Sequence, residues 1–394
     1  MMLLSGCWDS LPVESRNLVV AVGVDYLPES PHYLVTFVAP IADEDRSQSS
    51  RVQSFRSTSL AEAFAIASHA DAHVYSYGKL LVVVFGEEAA RQGVSAVMND
   101  LFKHTDLRVE SYVAVTLGTA RKLLTTIPAE GQQVGLFMKD MLDRAKMQQD
   151  SPPTTLEIFS SRMMTPGMDA STTLLTPIGS TDPRPPEERG ADGGGGDRGG
   201  TGQGTTAEDI QIVGMASWQG DRLVGTTTLS QQQYFSLAQG TSHDFLVQIL
   251  LKPDPRFVPE TSRIIIAIER AKPSWETQII AGVPHFSLKV DTLVSLVNYQ
   301  GRVDLTKDEN SEEFMHILSE SLKQGITDAL LTVSSFGSDP IGLGQFVRVQ
   351  YPTFWNPKMW TEVLKTATFS IEVKLGIKRI GIHITRFEPK EKMP

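Results

Sequence analysis

The chain has 394 residues, a single cysteine and a net charge of -10. A length of that order exceeds one ordinary domain and points to roughly two or three. The acidity argues against nucleic acid as a partner. The lone Cys7 rules out an intramolecular disulfide and a Cys-based zinc site, and no run of 18 or more apolar residues is present to cross a bilayer as a helix.

In chain order, Asn17–Val24 and His32–Val38 are short β-branched runs on either side of a Pro-containing turn, the pattern of a hairpin. Ser59–Ala70 is Ala-rich, with Ser59 placed as N-cap and Glu62 three residues on. Lys79–Phe85 is a continuous apolar run stopped by Gly86, as in a strand covered on both faces. A helix over Glu87–Phe102, a strand over Arg108–Leu117 and helices over Thr119–Thr126 and Gln133–Gln149 follow. In the last of these, Val134, Phe137, Met138, Met141, Leu142 and Ala145 form one apolar stripe, read as core.

Residues 179–208 break the pattern. They hold six acidic and three basic residues, nine glycines between Gly190 and Gly204, and no large apolar side chain. Such a segment buries too little to offset its ordering entropy and reads as a Pro/Gly-rich flexible linker. It separates an N-terminal α+β region, 8–178, from a C-terminal α+β domain, 209–389. The latter opens with a hairpin, Ile210–Trp218 and Arg222–Leu229, around Gln219-Gly220-Asp221. A helix from Ser230 to Leu237 ends toward Gly240, and strands are predicted at Arg263–Arg270, Gln278–Gly282 and His285–Tyr299. The strongest helical period runs from Ser311 to Ser334, with Asn310 and Glu313 as a capping pair. Two alternating strands, Thr366–Leu375 and Lys378–Thr385, close the chain around Gly376. The fold class is α+β and multidomain, two to three lobes, with mixed or antiparallel sheets packed against helices.

Chemistry is sparse. No nucleophile elbow, phosphate loop or H-E-x-x-H helix occurs. His69 and His73 share a helix-end face but lack a third ligand. Glu87-Glu88 and Glu312-Glu313 are adjacent on helices and do not face one another. Trp355 and Trp360, with Tyr351, Phe354 and Met359, read as packing or partner contact before ligand binding. No catalytic residue and no metal site is assigned, and the expectation is a protein that is not an enzyme.

The one compact motif lies at the start. Leu4-Ser5-Gly6-Cys7 matches a bacterial lipobox, in which small residues precede a cysteine that is cleaved to the N-terminus and carries diacylglycerol. Residues 1–7 read as a truncated signal. Only six residues precede Cys7, too few for a charged region and an apolar stretch, which suggests a start codon placed too late.

From Cys7-Trp8-Asp9 onward the chain resembles the Ger(x)C family of spore germination proteins, the C subunits of nutrient germinant receptors. The resemblance continues through Val22-Gly23-Val24-Asp25, through Tyr77–Ala90 with its Gly86-Glu87-Glu88-x-Ala90 ending, and through Leu107-Arg108 and Ala120–Leu124. It resumes at Gly214-Met215-Ala216 with Asp221–Gly225, at Ser334-Ser335-Phe336-Gly337, and at Trp355, Trp360 and Val373–Ile384. The linker is longer than that pattern, and His73–Ser76 replaces a more polar, aromatic run. The resemblance implies a non-enzymatic subunit without cofactor, held by lipid on Cys7 to the outer, extracytoplasmic face of the spore inner membrane. Its partners would be a membrane A subunit and a permease-like B subunit, with direct nutrient binding left open. A second reading is an extracytoplasmic solute-binding lipoprotein, which would need a deep inter-lobe cleft lined with convergent polar groups. A lipid-anchored hydrolase is a third, for which no nucleophile and base are evident.

Overall fold

A computed structural model describes residues 16–41, 50–128, 132–148, 152, 154–178, 210–240, 245–251, 254, 256–257, 262–298, 303, 305 and 307–379. Leu4, Ser5, Gly6, Cys7 and the whole of the 179–208 linker lie outside these residues.

The first half is built on β1 (Arg16–Leu18), β2 (Ala21–Tyr26), β3 (Tyr33–Pro40), β4 (Ser50–Ser57), α1 (Leu60–Ala70), β5 (Val74–Ser76), β6 (Val82–Gly86), α2 (Glu87–Gln92), α3 (Ser95–Phe102), β7 (Tyr112–Thr116), α4 (Ala120–Leu124), α5 (Val134–Gln148), β8 (Thr154–Thr155), α6 (Leu156–Met164) and β9 (Ser171–Pro177). After the linker come β10 (Ile210–Gln219), β11 (Arg222–Thr228), α7 (Leu229–Gln239), β12 (Phe245–Leu251), β13 (Ser262–Ile280), β14 (Val283–Leu296), α8 (Asp308–Ser335), α9 (Leu343–Gln350), α10 (Trp360–Lys365) and β15 (Thr368–Arg379).

The larger sheet has the strand order β11-β10-β9-β7-β6-β2-β3-β4, with β8 on β7, while β1 and β5 form a separate parallel pair. β6 lies parallel between β2 and β7, and all five of its residues are buried. That is why its sequence is an unbroken apolar run without alternation. One core lies on each face of this sheet. Phe37, Leu60, Phe85, Phe159 and Trp218 fill one, and Leu124, Met138, Leu142 and Leu175 fill the other.

The hairpin β10–β11 completes this sheet. Ile210–Ser217 pair antiparallel with Pro177–Ser171, so residues on the far side of the linker extend the first half's sheet. The sequence division at the linker groups them with the second half, because nothing local reveals where a strand finds its partner.

The second sheet is β12-β13-β14-β15, antiparallel except for the parallel pair β14–β15. β12 alternates strictly between buried and exposed positions, because only one of its faces is covered. α8 lies across that face. Its 28 residues, about 42 Å long, bury Phe314, Leu318, Leu322, Ile326, Leu330 and Val333 against Val247, Ile249, Ile266 and Leu288.

Several local readings change. The helix expected over Glu87–Phe102 divides at Gly93, whose φ of +110° ends α2, and Asp221 of the β10–β11 turn starts α3 by accepting from Ser95 N and Oγ. The two strands expected at 263–270 and 278–282 are one, β13. Pro273 lies beyond Phe245↔Ile268, the last pair with β12, so its missing N–H falls on an unpaired side. β15 runs unbroken through Gly376, which pairs with Leu293. α8 begins one turn earlier than expected, after Lys307 and with no side-chain cap, so Asn310 and Glu313 lie inside it. Glu313 instead pairs with Arg256.

Candidate functional site

The two sheets meet at a buried polar joint. The loop after α6 brings Asp169, the β10–β11 turn brings Gly220, and the loop between α8 and α9 brings Asp339. Backbone N–H of Asp169 donates to the Asp339 carbonyl at 2.9 Å, and N–H of Asp339 donates to Asp169 Oδ2 at 2.9 Å. Asp169 Oδ1 also accepts from Gly220 N at 3.0 Å.

Asp339 accepts four hydrogen bonds. Gly342 N and Leu343 N reach Oδ1, each at 2.8 Å, and Gly344 N and the Trp360 indole reach Oδ2 at 2.7 and 3.0 Å. It thereby caps the start of α9 and fixes α10 through Trp360. Burial pushes its carboxyl up to about 6, against the pull of the Gly344 and Leu343 amides, and Asp169 adds to the rise. Burial raises Asp169 too, opposed by the Gly220 and Asp339 amides.

Glycine allows the close approach. A Cβ on Gly344 would lie 2.6 Å from Gly167 Cα, and one on Gly167 would meet the Gly344 carbonyl carbon at 2.9 Å and the Trp355 ring at 2.7 Å. Gly167 also holds a φ of +79°. Around this contact Ser338 Oγ donates to the Trp218 carbonyl at 2.6 Å and Gln219 Nε2 to Thr361 Oγ1 at 2.6 Å. Phe336 packs flat on Gly225. Behind Asp339, a cavity of about 10 Å³ among Phe235, Leu330, Leu364 and Phe369 has room for roughly one water at most.

This arrangement gathers stretches that the sequence holds far apart. Asp221–Gly225, Phe336-Gly337, Trp355 and Trp360 all belong to it. The aromatic patch of Tyr351, Phe354, Trp355 and Trp360 packs with Phe286, Leu343, Val347 and Leu364, as a core. Asp169 and Asp339 carried no local signal beyond the run Asp339-Pro340-Ile341-Gly342-Leu343-Gly344, in which a carboxylate precedes two closely spaced glycines.

A second buried carboxylate, Asp25 at the end of β2, accepts from Ala120 N at 2.6 Å and Arg121 N at 2.9 Å and so starts α4 from across the sheet. Burial raises its carboxyl, opposed by the same two amides. Asp71 binds Asn17, Arg51 and His73, and the His73 bond first among these holds its carboxyl down to about 2. His69 Nδ1 pairs with the Ala65 carbonyl, so the two histidines are not brought together on one ligand. Among the described residues no three His, Cys, Asp or Glu side chains are grouped as for a metal, and no helix is long and apolar enough to cross a membrane.

Two family models match in series. The spore germination protein N-terminal domain matches residues 9–177, and the spore germination B3/GerAC-like C-terminal domain matches residues 213–381. Spore germination protein B3 of Bacillus subtilis (strain 168) is 22% identical over 396 residues, covering 97% of this chain and 96% of that protein. The putative spore germination protein YfkR of the same organism is 20% identical over 398 residues, covering 96% and 94%. The crystal structure of the GerBC protein aligns with a TM-score of 0.49 at 17% identity, over 92% of this chain and 99% of that one. Asp169 lies in the first matched region and Asp339 in the second, so the joint ties the two regions together. With both models matched in order over most of its length, the chain belongs to the GerAC-like, or Ger(x)C, family of spore germination proteins.

Proposed function

We propose that the chain is the lipid-anchored, non-enzymatic C subunit of a nutrient germinant receptor. The observation that carries this reading is the ordered match to both germination-protein domains, residues 9–177 and 213–381, beginning two residues after a lipobox cysteine. In this reading Leu4-Ser5-Gly6 is the cleavage site, Cys7 bears diacylglycerol, and the protein works on the outer face of the spore inner membrane beside an A and a B subunit, with no cofactor.

The anchor has a physical rationale. Each buried CH₂ contributes about 0.8 kcal/mol, so one acyl chain binds marginally whereas two or more hold stably. The tight joint supports an adaptor over a two-lobed solute binder. Asp169, Gly220 and Asp339 close it by direct hydrogen bonds, and Gly167 lies against Gly344, so the two matched regions are fastened there rather than parted by a cleft.

Deleting the gene and assaying spore germination over a nutrient panel tests the receptor role. A lost or slowed response to at least one nutrient, restored by the wild-type gene but not by Cys7→Ala, is the expected result. Normal germination on every nutrient, in a strain lacking its other receptor genes, contradicts it.

A further inference from the structure

A cleft of about 350 Å³ opens on the first sheet, away from the joint. It exists because β10 is longer than its neighbour. β10 pairs with β9 from Ile210 onward but with β11 only from Gly214. After Thr228 the chain leaves the sheet as α7, held by a capping box between Thr228 and Gln231. Among the described residues no strand lies beside the edge at 210–212, and the last turns of α5 form the opposite wall.

The lining is chemically selective. Met141, Ile212 and Leu229 supply apolar walls, and Arg144, Gln148 and Gln211 supply one guanidinium and two carboxamides. None of these three polar side chains has a hydrogen-bond or ion-pair partner among the described residues. The acids of α5 are otherwise engaged. Asp143 binds Tyr112 and Lys139, and Asp140 binds Gln132, so neither pairs with Arg144. A planar guanidinium presents paired N–H donors that match a carboxylate, and carboxamides beside it donate to the same oxygens without adding charge. The volume is near the lower end of the small-molecule range, roughly 300–1,000 Å³.

We propose that this cleft binds a small monocarboxylic acid with a short apolar tail, its carboxylate on Arg144 between Gln148 and Gln211 and its tail against Met141, Ile212 and Leu229. The inference goes beyond the receptor reading and stands whether or not Cys7 is lipidated.

Titration calorimetry of the full chain with sodium hexanoate at neutral pH is the test, with hexan-1-ol, hexylammonium and an acidic hexapeptide as comparison probes. Saturable one-site binding of hexanoate alone is expected. Arg144→Gln weakens it at least about tenfold, or about 1.4 kcal/mol. Gln148→Glu, which sets a like charge beside the bound carboxylate, weakens it comparably. Both positions are exposed on α5, and an unchanged melting curve shows that each variant is folded. The proposal is overturned by heats that do not saturate up to roughly 20 mM hexanoate, by equal affinity in Arg144→Gln, by hexanol binding as well as hexanoate, or by binding of the acidic peptide alone.

Discussion

At the scale of single residues, three carboxylates do the joining: the buried Asp25 and half-buried Asp221 accept backbone N–H groups from elements distant in sequence, and the buried Asp339 accepts those of the helix that follows it. Asp25 starts α4, Asp221 starts α3, and Asp339 starts α9 while holding Trp360. Asp339→Ala leaves four donors without their acceptor in a buried place and should cost about 3–5 kcal/mol, measured by denaturant unfolding. The pH dependence has a definite sign. The folded-state carboxyl of Asp339 titrates at about 6, above its ordinary 3.8, so the folded protein holds the proton more tightly than the unfolded chain. Its contribution is therefore fully present below about pH 4 and is lost as pH rises toward 6 and beyond, by roughly 3 kcal/mol. Subtracting the melting curves of Asp339→Ala from those of the wild type over pH 4–8 isolates that slope. A difference that grows with rising pH contradicts it. None of these carboxylates announces its role in the sequence. Asp221 caps a helix 126 residues upstream, and Asp339 bonds to Asp169 across 170 residues, whereas a capping pattern such as Ser59 with Glu62 is local and therefore readable.

At the scale of elements, legibility follows the number of covered faces. α8 and β11 read clearly, because one face is buried and the period shows. β9 does not: all seven residues of Ser171–Pro177 are buried and four of them carry hydroxyls, so it shows neither alternation nor a strong apolar run. The division of Glu87–Phe102 into α2 and α3 was equally hidden, since the cap for α3 comes from the other side of the linker. α8 also carries a substitution whose sign inverts the usual rule. Gly325 normally costs a helix about 1 kcal/mol relative to Ala. Here a Cβ would lie 2.6 Å from the Tyr234 ring of α7. Gly325→Ala is therefore expected to destabilise by about 1–2 kcal/mol, the overpacking outweighing the helix gain. A rise in melting temperature shows that the α7–α8 contact yields freely.

At the scale of the whole molecule, the sheet that crosses the linker and the joint between Asp169 and Asp339 make the two matched regions structurally interdependent. The wild type is expected to unfold in one calorimetric transition, and Asp339→Ala, or Gly344→Ala with its clash on Gly167, in two. Such coupling suits the proposed role, in which a change passes between a lipid-anchored end and the other receptor subunits. The proposed anchor rests on Leu4-Ser5-Gly6-Cys7, outside the described residues, so chemistry decides it more directly than geometry. The decisive measurement is intact and peptide mass spectrometry of the protein purified from membranes of its native host. The account requires a mature chain that begins at Cys7 and carries the mass of a thioether-linked diacylglycerol. An unmodified Cys7 with residues 1–6 still attached contradicts it.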